Sequence, residues 1–373
     1  MNQPQNPFPL PYCLNVHDAS TWAAVQHALD TYALAVKALV APDQSFPLSL
    51  HLGARALHEA SAALPHLRDW LARHNCFIVA LNAFPYGPFQ GVCVKEEVYR
   101  PNWNNPARAD YTKLAVAFLA QVLPEGLNGT VTTVPGGWAR DWASPADDVA
   151  ALKNLSQAAA FCRRINADTG RRIRIAIEPE PGCVWKLFDS RVTDLGPEVC
   201  WCLDTCHAAV EFQPMDALDW SQIGHVQVSA AIECDNTPAA RQALTPFDEP
   251  AYLHQTRAAL DGEILGAWDD LGPALHELPA LPPTAIVRTH THVPLTWAGS
   301  GPLRSTRDHL TPAFFKHAQQ TFCEVETYTY SILPHALHPQ SLAESIAAEL
   351  RWAAARYGAS SSTKRKIVSP GLA

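Results

Sequence analysis

The chain has 373 residues, 47% of them hydrophobic, which is enough for a large buried core, and a formal net charge of −8. That acidic balance excludes a broad nucleic-acid surface, which needs a basic face. No apolar run approaches the roughly 20 residues that span a bilayer, and the opening Met1-Asn2-Gln3-Pro4-Gln5 has no secretory pattern. The expectation is a cytoplasmic protein, not integral to a membrane, whose ten scattered cysteines stay reduced.

Strand-like and helix-like segments alternate almost throughout, as in a parallel α/β fold. Cys13-Leu14-Asn15-Val16-His17 reads as a strand and leads into a helix over about 20–39. Ser49-Leu50-His51-Leu52-Gly53 precedes an amphipathic stretch, 54–74, that Pro65 must kink or restart. A third strand, 77–83, opens into a long irregular segment, 84–105, and a helix over about 108–123. Strand 129–134 and its loop Pro135-Gly136-Gly137-Trp138 come next, then a helix over 144–168 capped by Ser144.

Three strands follow, ending at Glu178, Asp204 and Ser229. Residues 230–256 read as an irregular insertion, with helical sequence to about Leu278. Strands over 284–292 and 321–328 flank a helix near 308–320, and an amphipathic helix over 341–357 closes a single domain, 1–358. The serine-rich and basic tail, 359–373, is expected to be disordered. This gives nine strand candidates, one more than a closed eight-stranded barrel uses, so either 284–292 or an early strand lies outside it.

The segment Arg172-Ile173-Arg174-Ile175-Ala176-Ile177-Glu178 sets the functional pattern. Period-2 alternation sends Ile173, Ile175 and Ile177 to one face, and the other set ends in a carboxylate beside a turn. The other strands repeat that layout, placing Asn15, His51, Asn82, Asp204, Gln227, His290 and Glu326 near strand C-terminal ends. Such a ring is where a (β/α)8 TIM barrel carries its active site, here beneath long loops at the C-terminal mouth.

Glu178, Asp204, Gln227 and Glu326 come from separate strand ends. Three carboxylates in a partly dehydrated cavity repel one another unless a cation neutralises them, which predicts one bound divalent metal ion. Mostly oxygen donors suit Mn²⁺ or Mg²⁺, while nearby His207, His290 and His292 keep Zn²⁺, Co²⁺ or Fe²⁺ open. Cys200, Cys202 and Cys206 have no zinc or redox spacing and read as small buried hydrophobes.

Ile177-Glu178-Pro179, Leu203-Asp204-Thr205-Cys206-His207 and Ile223-Gly224-His225-Val226-Gln227 resemble the metal-site segments of the xylose-isomerase-like barrel superfamily. Its sugar isomerases and ketose 3-epimerases bind one divalent ion through Glu, Asp, His or Gln, and Glu. The resemblance implies Glu178 and Asp204 as ligands, with Gln227 where epimerases usually have His. The last ligand is Glu326 or Glu324; Glu326 lies nearer the strand's C-terminal end. His207 is implied to contact substrate or help hold the site.

A longer set of segments resembles the EboE family. It includes Tyr12-Cys13-Leu14-Asn15-Val16-His17, Leu81-Asn82-Ala83-Phe84-Pro85-Tyr86-Gly87, His290-Thr291-His292-Val293-Pro294 and Glu324-Val325-Glu326-Thr327-Tyr328-Thr329-Tyr330. EboE members are labelled metabolite traffic proteins and are encoded beside a UbiA-type prenyltransferase, so proteins of that gene cluster are implied partners.

The chemistry expected is proton transfer beside a carbonyl of a sugar, sugar phosphate or polyol, with Glu178, Glu326 and His207 as catalytic groups. Asn15, His17, Asn82, Lys95, Glu180, His290 and His292 are the expected substrate contacts. Lys95 and Arg140 lie in loops over the mouth and could neutralise an anionic group, while Tyr86, Phe89 and Trp103 would cap it. Two other readings compete: a non-catalytic metabolite carrier, and a metal phosphodiesterase resembling endonuclease IV. The bland reading of the carboxylates is a salt-bridged rim, with Arg174 as partner.

Overall fold

The alternation is realised in strands that close on themselves. A computed structural model describes residue 4 and residues 6–359. Seven strands come first: β1 (Tyr12–Cys13), β2 (Phe46–His51), β3 (Cys76–Asn82), β4 (Asn128–Thr133), β5 (Arg172–Ile177), β6 (Val199–Asp204) and β7 (Ile223–Val228). Six more form an insertion: β8 (Ile232–Asp235), β9 (Thr256–Leu260), β10 (Glu263–Trp268), β11 (Ile286–Thr289), β12 (Gly299–Ser300) and β13 (Leu303–Ser305). The last is β14 (Phe322–Val325). Strands β1 to β7 and β14 pair in parallel, and β1 pairs with both β2 and β14, completing a (β/α)8 barrel.

Every residue of β2, β3, β6 and β7 is buried, as expected when one face fills the barrel and the other meets helices. The long helix Pro145–Thr169 starts with a capping box between Ser144 and Asp147 and ends at Gly170, whose φ of 68° is left-handed. The break expected at Pro65 separates the helices Ala54–Ala62 and Leu64–Arg73.

The extra strand candidate is 284–292. Its core, β11, belongs to a second, antiparallel sheet of order β10-β9-β11-β8-β13-β12. The reading of 230–278 as irregular and then helical is corrected here, because 256–268 is a hairpin. Asp261 and Gly262, at φ 52° and 86°, form the two-residue turn between paired Leu260 and Glu263. An Asp-Gly pair with both φ positive matches the twist of a hairpin, and this outweighs the helical preference of Ala258, Ala259 and Leu260. A helix does follow, over Leu271–Glu277.

The strand expected over 13–17 is also shorter. After Cys13 the chain turns into a 3-10 segment, Leu14–Val16. The tail expected to be disordered lies, from residue 360 on, outside the described residues. No described helix is long and apolar enough to cross a membrane.

Candidate active site at the barrel mouth

Three carboxylates form the floor of a cavity at the C-terminal end of the barrel. Asp204 ends β6, and Glu178 and Glu326 stand one residue beyond β5 and β14. One oxygen from each lies within 4.8 Å of the others, and all three residues are buried. Asp204 Oδ1 accepts the His207 amide at 2.8 Å, capping the helix Thr205–Val210, and both of its oxygens accept from Ser229 Oγ. Glu326 Oε1 accepts from Asn15 Nδ2 at 2.5 Å and Gln227 Nε2 at 3.0 Å.

Burial, then the neighbouring carboxylates, push Glu178 and Glu326 well above the usual carboxyl range. Burial acts in the same direction on Asp204, but His207, His292 and the His207 amide hold it below its ordinary value. Glu178 Oε2 has no hydrogen-bond partner. Arg174, the salt-bridge partner of the bland reading, instead donates to the Gly224 carbonyl at 3.4 Å. A buried set of three carboxyl groups with no lysine or arginine among its recorded partners, only histidine, fits a divalent ion.

Gln227 meets the cluster through its amide nitrogen, while its oxygen accepts from the Cys202 thiol at 3.1 Å, so acting as a ligand requires the amide to turn over. Glu324 lies elsewhere: His225 Nε2 engages it at 3.0 Å, and His225 Nδ1 meets Thr130. The geometry therefore gathers Glu326, and not Glu324, with Glu178 and Asp204.

The wall is built by the insertion and the β5 loop. Tyr99 Oη donates to Glu180 Oε1 at 2.7 Å, and Gln255 Nε2 donates to the same oxygen at 2.9 Å. Gln255 Oε1 lies 2.5 Å from His290 Nδ1. His290 Nε2 in turn lies 3.1 Å from both His207 Nε2 and His292 Nε2. Burial and adjacent imidazoles hold His290 well below the ordinary histidine value, and burial brings His292 down to about 4.

Phe89, Tyr252 and Tyr328 line the cavity and pack on one another in tilted and edge-on contacts, with ring centroids 4.9–5.4 Å apart. Of the expected aromatic cap, only Phe89 takes this place. Tyr86 packs on Tyr111, and Trp103 is wholly buried with its N–H on the Val134 carbonyl.

Of the residues proposed from the sequence as substrate contacts, Asn15, Asn82, Lys95, Glu180 and His290 line this cavity. His17 is not among its lining residues, which corrects its placement. The 3-10 turn carries its ring onto Tyr32, 4.3 Å between centroids, and its Nε2 to the Tyr12 hydroxyl. His292 lies beside the cavity lining rather than in it. Lys95 is committed to Asp270, at 2.6 Å, and to two backbone carbonyls. Arg140 lies in an outer cleft, paired with Asp269.

His51 carries a second signal that sequence reasoning left without a role. It lines the cavity, is 2% exposed, and neither ring nitrogen has a partner. Tyr99, Tyr252 and Gln255 were missed, because they lie in segments that read as irregular.

A scan of family models and a search of curated proteins give no match, so the EboE name gains no support from them. Among solved structures the chain is similar to a D-tagatose 3-epimerase-like protein, at TM-score 0.37 and 15% identity over 59% of this chain and 75% of that one. It is similar to a D-allulose 3-epimerase from Methylomonas sp. in complex with D-allulose, at TM-score 0.40 and 15% identity over 66% and 83%. It is also similar to an IOLI protein with a binding zinc atom, at TM-score 0.47 and 14% identity over 95% and 100%. The barrel assignment itself rests on the strand pairing.

Proposed function

We propose that this chain is a divalent-metal-dependent isomerase or epimerase of a sugar, sugar phosphate or polyol. The observation that carries the reading is the buried meeting of Glu178, Asp204 and Glu326 beneath a cavity whose lining includes Asn15, His51 and Asn82. Glu178, Asp204 and Glu326 would hold the ion, with Gln227 after an amide turn. Such an ion, when bound, polarises adjacent substrate oxygens and acidifies the neighbouring C–H.

The residues of the chain do the rest. Glu178 and Glu326 come from strands separated by β6 and β7, so they approach a bound ligand from different walls. Two carboxyl groups facing one ligand from different walls suit removal of a proton by one and its return by the other. Asn15 fixes the orientation of Glu326, and His51 has two free nitrogens for ligand hydroxyls. Phe89, Tyr252 and Tyr328 cover the site and limit access of water. The sequence resemblance adds a context for this activity: a metabolite traffic pathway of the EboE type, with proteins of a UbiA-type gene cluster as partners.

The test is a panel of ketoses and aldoses in D₂O with Mn²⁺, Mg²⁺, Co²⁺ or Zn²⁺, followed by NMR. The expected result is deuterium at the carbon beside the carbonyl, abolished by Glu178→Gln. Turnover that survives this substitution with unchanged incorporation removes Glu178 from the mechanism, and no turnover of any member leaves a carrier.

A further inference from the structure

We infer that the barrel has a second entrance, a side port between β5 and β6 that gives a divalent cation access to the carboxylates without passage through the mouth. The inference rests on the metal reading of Glu178, Asp204 and Glu326 made above, and adds to it a route that lets the ion exchange while a ligand fills the mouth.

The port begins in the strand pairing. β5 pairs with β6 only as far as Ile177 and Trp201, while β6 runs on to Asp204 against β7. The sequence stops β5 there. The Glu178 amide donates to the Thr133 carbonyl, on the β4 side, and Pro179 has no N–H to offer β6. Cys202, Leu203 and Asp204 are left without β5 partners, and the wall parts beside them. The same three residues line an outer cleft of about 220 Å³. A water takes up roughly 30 Å³, so the cleft admits a cation with part of its hydration shell.

This cleft and the mouth cavity stand back to back, since Glu180 and His207 line both. Glu178 and Glu326 line the mouth cavity and Asp204 lines the cleft, yet one oxygen from each lies within 4.8 Å of the others. The cluster is therefore approached from two sides. His207 stands between them, its Nδ1 3.7 Å from Asp204 Oδ1 and 3.9 Å from Glu178 Oε1.

The two approaches differ in chemistry. The mouth cavity presents Phe84, Phe89, Val94, Tyr252 and Leu253, mostly apolar surface that replaces little of the water around a dication. The cleft presents Glu211 and Gln213 as well as Glu180 and Asp204. Two cations stand against these carboxylates: exposed Lys186, in the cleft lining, and Arg257, 2.9 Å from Glu211 Oε1. The port is polar and close to neutral, and so suits passage of a hydrated ion better than its retention.

The test places one bulky maleimide at either entrance of the full-length protein. Of the ten cysteines only Cys93 is exposed, and it adjoins Val94 of the mouth cavity, so it serves as the mouth position. Lys186→Cys in a Cys93→Ser background serves as the port position. Zn²⁺ uptake by chelator-stripped protein and its removal by EDTA are timed with a zinc-sensitive dye, and zinc per chain is counted by elemental analysis. Modification of Lys186→Cys is expected to slow both uptake and removal about tenfold with zinc content unchanged at equilibrium, because an obstruction acts equally on both directions. Modification of Cys93 should leave both rates within about twofold. Slowing at Cys93 as great as at Lys186→Cys, or slowing at neither, overturns the port and leaves the metal reading intact. Protein that holds neither Zn²⁺ nor Mn²⁺ at equilibrium removes the metal reading and the port with it.

Discussion

The parallel barrel and the antiparallel sheet inserted between β7 and β14 meet at one cavity but bring different chemistry to it. The barrel supplies carboxyl groups, Glu178, Asp204 and Glu326, whose directions follow from strand alternation and sheet closure. The insertion supplies neutral nitrogen and aromatic surface, His290, His292 and Tyr252, placed by loops that leave its strands. An anionic floor binds hard cations strongly and discriminates little among them, whereas an imidazole wall favours borderline ions. On the proposed function, proton transfer would fall to the barrel and discrimination among ions to the insertion. The two regions join through polar groups, and those joints are where the comparison can be broken.

The largest effect is expected at Gln255. Its backbone oxygen accepts the His290 amide at 2.9 Å, and its side chain links Glu180 of the β5 loop to His290 of the insertion. Gln255→Leu fills similar space but leaves a buried carboxylate short of a donor and a buried imidazole N–H without an acceptor. The expected loss is about 2–4 kcal/mol in urea unfolding. A loss below about 1 kcal/mol would mean that the wall stands without this joint.

The same contrast explains what could be read in advance. Glu178, Asp204 and Glu326 were legible because each ends an alternating strand, and a parallel barrel converts strand ends into neighbours. His17 was misplaced by the same logic, since extending the strand past Cys13 ignores the 3-10 turn that rotates the ring away. The wall was largely illegible. His290 and His292 are visible as a pair, but Gln255, which holds His290, and Tyr252 sit in a stretch without periodicity, and long-range contacts between two loops leave no local pattern. Only the Asp261-Gly262 turn offered a signal there, and it reports a hairpin, not a site.

A smaller effect, with a definite sign, is expected at Glu349, which ties the two regions together from behind. Its Oε1 accepts from the Leu295 amide at 2.7 Å and Thr327 Oγ1 at 2.8 Å, and its Oε2 accepts from Tyr330 Oη at 2.6 Å. Leu295 follows His292 in the insertion, and Thr327 follows Glu326 of the barrel. Burial raises the Glu349 carboxyl to about 7 against the pull of these three hydrogen bonds. The folded state then binds a proton that the unfolded chain releases near pH 4.5, so this contribution is complete below pH 4.5 and is lost as pH rises through 7. By linkage that amounts to about 3 kcal/mol. Glu349→Gln cannot ionise, and its stability should change less between pH 4.5 and 8 than that of wild type. Parallel pH profiles for the two proteins would place the titration elsewhere.

The smallest effect is expected at Lys95, where segment 84–105 is strapped to the insertion. Its ammonium meets Asp270 Oδ2 and the Tyr252 carbonyl at 2.6 Å and the Glu249 carbonyl at 3.2 Å. The residue sits at φ 39°, a conformation that non-glycine residues adopt only where their surroundings hold them. The Lys95 and Asp270 side chains are still about a quarter exposed, at 24% and 22%, which limits the contact to about 1 kcal/mol. Lys95→Met should therefore open the segment locally without unfolding the barrel. Chymotrypsin, which cuts after Tyr86 and Phe89 and not at lysine, should then nick it about fivefold faster at nearly unchanged Tm. An unchanged nicking rate, together with weakened binding confined to phosphorylated ligands, would instead make Lys95 a direct contact for an anionic substrate. The barrel side of the mouth would then take part in selectivity as well, and the division between floor and wall would have to be redrawn.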